Sequence, residues 1–192
     1  MPDFYTGKRR DEGAKRGTAT HTVMQFCDFA SLSRDGVQSE IDRLVKEGYL
    51  TAADASLVHR EEIEAFTHSE LAARLIAAKK LHRELRFHAR LGAHLFTRDE
   101  EKKQIYRDRP ILVQGVIDCI IEEEDGSLIL IDYKTDRLTP AERRDPLLAA
   151  RKLRAAHSAQ LSYYAEAVEQ MFGRRPTRIW IYSLHLGDTV EL

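Results

Sequence analysis

The chain has 192 residues, with 30 Lys and Arg against 31 Asp and Glu, a net charge of −1, and 43% hydrophobic residues. That length fits one domain with at most a small appendage, and such a domain buries roughly 70% of its unfolded surface without disulfide support. The charge balance excludes a uniformly basic nucleic-acid coat but leaves a local stripe of Lys and Arg open. Aliphatic blocks along the whole chain exclude a disordered tail. Apolar runs such as Ile129-Leu130-Ile131 fall far short of the roughly 20 residues of a membrane span. No charged-then-apolar signal opens the chain, so a cytoplasmic protein without membrane contact is expected. Cys27 and Cys119 read as small buried thiols. Two cysteines cannot supply the four thiolates an iron–sulfur cluster usually takes, so no such cluster is expected.

Residues 1–16 are polar and basic, with Lys8, Arg9, Arg10, Lys15 and Arg16 beside Gly7 and Gly13. They read as a flexible basic arm, either a solvated leader or a DNA contact. From Thr18, a candidate N-cap, Val23, Phe26 and Ala30 recur at helical spacing. Val37, Ile41, Leu44 and Val45 share a helical face that Gly48 ends. Thr51 and Ser69 are the next cap residues, with "REEIEAFTH" between the helices they open. Residues 17–80 are therefore expected to be mainly helical. From Leu81 the period falls to two, through Arg83, Leu85, Phe87, Ala89 and Leu91, the pattern of a strand. Two further apolar runs flank Asp125-Gly126, a good hairpin signal. Residues 136–157, with Pro140 and Pro146, read as a loop and then a helix. A second helix opens at Ser158 and stops at Gly173, and a strand pair closes around Leu186-Gly187-Asp188. The order of helices, strand, hairpin, helix and strands predicts an α/β sheet core over residues 81–192 flanked by helices.

The informative stretch is "QGVIDCIIEEEDGSLILIDYKTD". Asp118 interrupts one apolar run of the hairpin and Asp132 the other, and they lie 7 and 6 residues from its tip, close to opposite each other. In a strand, residues two apart point to one face, so Asp132 and Lys134 project together. Two carboxylates about 4 Å apart repel by roughly 4 kcal/mol at an effective dielectric of about 20. Such a pair holds a cation or shares a proton. Oxygen donors favour Mg²⁺ or Mn²⁺ over Zn²⁺. A lysine beside the metal holds a water and stabilises the charge of a pentavalent phosphorus. That apparatus suits phosphodiester hydrolysis. The alternative is a Lys134–Asp132 surface ion pair with Asp118 solvated on the rim.

"GVID…LILIDYKTD" resembles the two core motifs of the PD-(D/E)XK nuclease superfamily in its RecB-like variant. "RGTATHTVMQ" resembles the motif that family places on an early helix, and "AQLSYYAEAVE" its Gln-x-x-x-Tyr helix. "RELRF" and "IWIYSLHLGDTVEL" resemble segments of the nuclease domain of AddA-type (RexA) helicase–nuclease subunits. The likeness runs from about residue 17 to the C-terminus, with its motifs in order. It implies a restriction-endonuclease-like mixed β-sheet flanked by helices, with an N-terminal helical region. It implies Asp118 and Asp132 as metal carboxylates, His21 as an imidazole ligand and the Tyr133 carbonyl as a further one. Lys134 would position the attacking water, while Gln160 and Tyr164 would hold the DNA backbone or orient Lys134. The implied activity is metal-dependent cleavage of single-stranded DNA in double-strand break repair. The implied partners are helicase domains, in the same or another chain, and an AddB-type subunit. No G-x-x-x-x-G-K-[ST] loop is present, so this chain is not expected to hydrolyse ATP.

Without the resemblance, His21 reads as a packed or surface histidine, and Gln160 and Tyr164 as ordinary helix residues. Glu84 is a candidate to approach the metal from the preceding strand, against a salt bridge to a neighbouring Arg. Residues 134–160 carry seven Lys and Arg against three Asp and Glu. Arg137, Arg143, Arg144, Arg151, Lys152 and Arg154 cluster there and would track a phosphate backbone, Arg151, Lys152 and Arg154 foremost, or form a solvated helix face. His59, His68, His82, His88, His94, His157 and His185 read as surface or edge residues, and "EEED" at 122–125 as a solvated tip. Two rival readings stand beside the nuclease: a catalytically idle DNA-binding or assembly module of this fold, and a stand-alone endonuclease of the same superfamily.

Overall fold

The structure is a computed structural model that describes residues 3–97, 99–106 and 109–192. Residues 1–2 of the basic segment and the side chains of Lys8, Arg9, Arg10 and His94 lie outside the described residues. The fold is a five-stranded mixed sheet flanked by helices, with strand order β1-β2-β3-β4-β5. The strands are β1 (Lys80–Gly92), β2 (Pro110–Glu122), β3 (Leu128–Lys134), β4 (Arg178–Ser183) and β5 (Asp188–Glu191). The chain divides into two compact units, the first of Met1–Ala78, Tyr133–Ala149 and Tyr182–Thr189, the second of Lys79–Asp132, Ala150–Ile181 and Val190–Leu192.

The first unit holds helices α1 (Asp3–Phe26), α2 (Phe29–Asp35), α3 (Val37–Lys46), α4 (Ala52–Leu57), α5 (Arg60–Thr67) and α6 (Glu70–Ala77). The expected caps are found, with Thr51 accepting from Asp54 N and Ser69 from Ala72 N, each satisfying an amide the helix cannot. Gly48, at φ +82°, ends α3 as the sequence predicts. The first helix departs from the prediction. It starts at Asp3 rather than Thr18, so the segment read as an arm is helical where described. The Thr18 hydroxyl is no cap; it donates back to the Ala14 carbonyl at 3.0 Å, as mid-helix threonines do. Phe66 centres the apolar packing, its ring 5.7 Å from Phe29, 5.1 Å from Tyr182 and 6.3 Å from Tyr133. Cys27 is buried there, its Sγ 3.8 Å from the Met24 carbonyl, and Cys119 is buried in the second unit.

In the second unit β1 and β2 form a long antiparallel ribbon, and β2 turns through the predicted Asp125-Gly126 tip into antiparallel β3. Along β3 and β4 the bonds Thr177 N to Leu128 O and Leu184 N to Lys134 O advance together, the mark of a parallel pair. Between them come α8 (Pro140–Arg144), opened by a Thr139–Glu142 capping box, and α9 (Pro146–Phe172). α9 corrects a second expectation. It runs unbroken through Ser158, and its true start is Pro146 behind Asp145, whose carboxylate accepts from Leu147 N and Leu148 N. Edge strand β1 is covered at one point by the Gln170 side chain, which bonds both the N–H and the C=O of Arg90 at 3.1 and 2.8 Å. The 122–125 tip is less solvated than expected, since Glu122 is half-buried and ties Lys80 at 3.0 Å to Arg174 at 2.9 Å. Segment 93–109, which carries no sequence signal of its own, contains a 3₁₀ turn (Ala93–Phe96) and α7 (Glu100–Ile105). Among the described residues no helix is long and apolar enough to cross a membrane.

Candidate active site

The β2–β3 ladder pairs Cys119 with Ile131, Ile120 with Leu130 and Ile121 with Ile129. The next step of that register sets Asp118 opposite Asp132. Residues directly opposed in an antiparallel pair share a face, with Cα atoms about 4.5–5.5 Å apart. β1 extends the row, because Arg83 pairs with Cys119 and Leu85 with Ile117, which brackets Glu84 opposite Asp118. Glu84 has φ +51°, and among the described residues no other non-glycine has a positive φ. Three acidic residues therefore stand in register across three strands. Asp132 is buried at 2% exposure and Asp118 is half-buried.

β3 alternates at this point. The Tyr133 ring is 3% exposed and packs edge-on to Phe66, so its side chain serves the core and only its backbone carbonyl remains for a ligand role. Asp132 and Lys134 project to the other side of the strand. Within the first unit, α1 comes close to the residue after Lys134: a Cβ on Gly17 would stand 2.9 Å from Thr135 Oγ1. A methyl there would have to displace the Thr135 hydroxyl. His21 lies four residues on from Gly17, on the same helical face, so α1 presents its half-buried imidazole on the side that meets the end of β3.

In the second unit, Gln160 Nε2 donates to the Tyr164 hydroxyl at 2.8 Å. The Tyr164 ring packs edge-on to Phe87, 5.5 Å between centroids. Gly115 makes the room, since a Cβ there would meet the Phe87 ring at 2.8 Å and Tyr164 at 3.7 Å. The Gln-x-x-x-Tyr pair is thus a fixed unit seated on the ribbon. Arg151 is exposed, Lys152 half-exposed, and Arg154 donates from Nε to the Glu191 carbonyl at 2.7 Å. A surface groove of about 590 Å³ in the first unit, lined by Asp35, Val37 and Arg60 among others, contains none of these residues.

A divalent cation fits the residues present. The core donors are two facing carboxylates, one of them buried, and hard oxygen donors suit Mg²⁺ or Mn²⁺. Among the described residues no three His, Cys, Asp or Glu side chains form a ready cage.

A parallel-and-antiparallel sheet carrying Asp118, Asp132 and Lys134 at adjacent strand positions has the pattern of one nuclease class. The chain belongs to the PD-(D/E)XK nuclease superfamily, whose profile matches residues 4–190. It is 33% identical over 181 residues to an ATP-dependent helicase/nuclease subunit of Acetivibrio thermocellus, covering 94% of this chain and 14% of that protein. It is 32% identical over 191 residues to the same-named subunit of a Thermoanaerobacter species, covering 99% of this chain and 15% of that protein. With the same-named protein of Clostridium novyi the identity is 30% over 192 residues, covering 100% and 15%. The chain thus spans about 14–15% of the length of the curated relatives it matches.

Proposed function

We propose that this chain is a metal-dependent nuclease that hydrolyses phosphodiester bonds of single-stranded DNA. The observation that carries the reading is the facing Asp118–Asp132 pair with Lys134 two residues along the same strand. Asp118 and Asp132 would hold a Mg²⁺ or Mn²⁺ ion, with the His21 imidazole and the Tyr133 carbonyl as further ligands taken from the family's motifs. When bound, that ion supplies positive charge to the phosphate oxygens and makes water more acidic. Lys134 orients the attacking water and offsets charge that builds on phosphorus. The water oxygen bonds to phosphorus, the bond from phosphorus to the 3′ oxygen breaks, and that oxygen leaves with a proton, giving a 5′-phosphate. Gln160 and Tyr164 guide the strand, and Arg151, Lys152 and Arg154 supply charge along its path.

The relatives named above are helicase/nuclease subunits. We therefore assign this chain to the nuclease part of an AddAB-type complex, fed by helicase domains and an AddB-type partner during double-strand break repair in the cytoplasm. The test is cleavage of linear and circular single strands with Mg²⁺, with EDTA and with Lys134→Ala. Metal-dependent cleavage lost in the variant supports the nuclease, and attack on circles would favour a stand-alone endonuclease. Equal cleavage by Lys134→Ala, or cleavage in EDTA, overturns the reading.

A further inference from the structure

Three segments of the first unit, distant in sequence, meet just past β3. Arg137, three residues beyond Lys134, donates from Nη1 to Glu62 Oε1 at 3.1 Å. Its Nη2 lies 2.8 Å from His59 Nε2. The next amide, Leu138 N, donates to His185 Nδ1 at 2.8 Å. An imidazole that accepts at Nδ1 carries its proton on Nε2, so the tautomer of His185 is set, with an N–H on the far side of its ring. The His59 backbone is anchored in turn, its N–H donating to Thr20 Oγ1 on α1 at 3.1 Å.

The charge of this cluster is lopsided. Burial holds both imidazoles below their ordinary value, and Arg137 pushes each the same way. Arg16 acts on His59 and Arg143 on His185, with Glu62 opposing in both cases. The field at the two imidazoles thus comes from three guanidinium groups and the one carboxylate that Arg137 holds. Arg137 is 57% exposed at its side chain while Glu62 is only 14% exposed. The acid is the inner anchor and the guanidinium the outward head, a group whose planar fork matches phosphate. Three residues of chain span at most about 11 Å, so Arg137 stays close to Lys134.

We propose that Arg137, oriented by Glu62 and His59 and flanked by the His185 N–H, forms a binding subsite for a DNA backbone phosphate adjacent to the one that is cut. The subsite rests on the nuclease reading above and deepens it, giving one member of the 134–160 basic cluster a defined phosphate contact. Without it, the same bonds would be a clasp tying the chain after β3 to α5.

The test measures binding of a labelled oligothymidylate by fluorescence anisotropy, with Ca²⁺ in place of Mg²⁺, across a series of NaCl concentrations. Arg137→Gln is expected to weaken binding about tenfold and to lower the slope of log K against log salt by about 0.7, the value for one phosphate on a single strand. Arg137→Lys should keep the slope and lose affinity, because the charge stays and the fork is lost. Binding by Arg137→Gln with an unchanged slope overturns the subsite and leaves the nuclease reading intact. Failure of the wild-type chain to bind the strand at all overturns both. Should Arg137→Gln fail to fold, Arg137→Lys decides, since affinity equal to wild type contradicts a phosphate-gripping fork.

Discussion

Two carboxylates are buried among the described residues, Glu40 at 3% exposure and Asp132 at 2%, and their surroundings differ in kind. Glu40 receives Arg43 from one turn along α3, with Nη2 at 2.6 Å and Nε at 3.0 Å, and the Asp28 N–H at 2.7 Å. Arg43 also donates to the Phe26 carbonyl at 3.0 Å, so the pair ties the end of α1 to α3. Its counter-charge comes from its own element. Asp132 instead stands on β3 across from Asp118, like charge facing like, with Glu84 next in the row. A fold that merely tolerates a buried charge pairs it internally, as at Glu40. Placing two carboxylates side by side costs stability unless a cation joins them. The comparison sets an acid held by a guanidinium of its own helix beside one that faces a second acid across the ladder, the place the proposed metal site requires.

Substitution breaks that comparison most sharply. Asp132→Asn is expected to lower the rate of DNA cleavage by about 10³-fold, since the lost charge stabilisation is worth several kcal/mol. Its melting temperature should hold or rise, because one of two like charges is gone. Glu40→Gln should do the reverse. It weakens the charged hydrogen bonds of Arg43, which keeps Glu47 as a partner, costs about 2 kcal/mol and lowers the melting temperature by roughly 4–8 °C, with cleavage by the folded fraction unchanged. Gly115→Ala sharpens the account of the Gln160–Tyr164 unit. A methyl there would press on the Phe87 ring at 2.8 Å, so a loss of about 2 kcal/mol in thermal unfolding is expected, with a raised KM for oligonucleotides.

The smallest effect is on pH dependence. His59 and His185 are held below the ordinary 6.5, chiefly by burial. Below that pH the unfolded chain takes up protons that these rings in the folded chain refuse, so their contribution is full above 6.5 and is lost as pH falls through the lowered values. The melting temperature should therefore drop between pH 7.5 and 5.5, and His185→Gln should flatten the drop.

Much of this was legible in the sequence where one local rule governs the outcome. Asp125-Gly126 fixed the tip of the hairpin, and counting back from it placed Asp118 against Asp132 as the register does. Thr51 and Ser69 were readable as caps because a hydroxyl before an apolar stripe has one common use. The start of α1 was hidden because its first turns are charged and carry two glycines, so no apolar stripe marks them. Ser158 misled for the opposite reason: a cap residue within a helix is indistinguishable by type from one that begins it. The positive φ of Glu84 has no sequence signal, since glutamate is not a residue that favours that region. Glu40 and the Arg137–His59–Glu62–His185 cluster depend on tertiary approach, which spacing along the chain does not encode.

The most direct test of the central claim is a Mn²⁺ titration of the chain by isothermal calorimetry, compared with Asp118→Asn and Asp132→Asn. The account predicts one saturable site in the wild type that both variants lose while remaining folded. Equal Mn²⁺ binding in the wild type and both folded variants would contradict it.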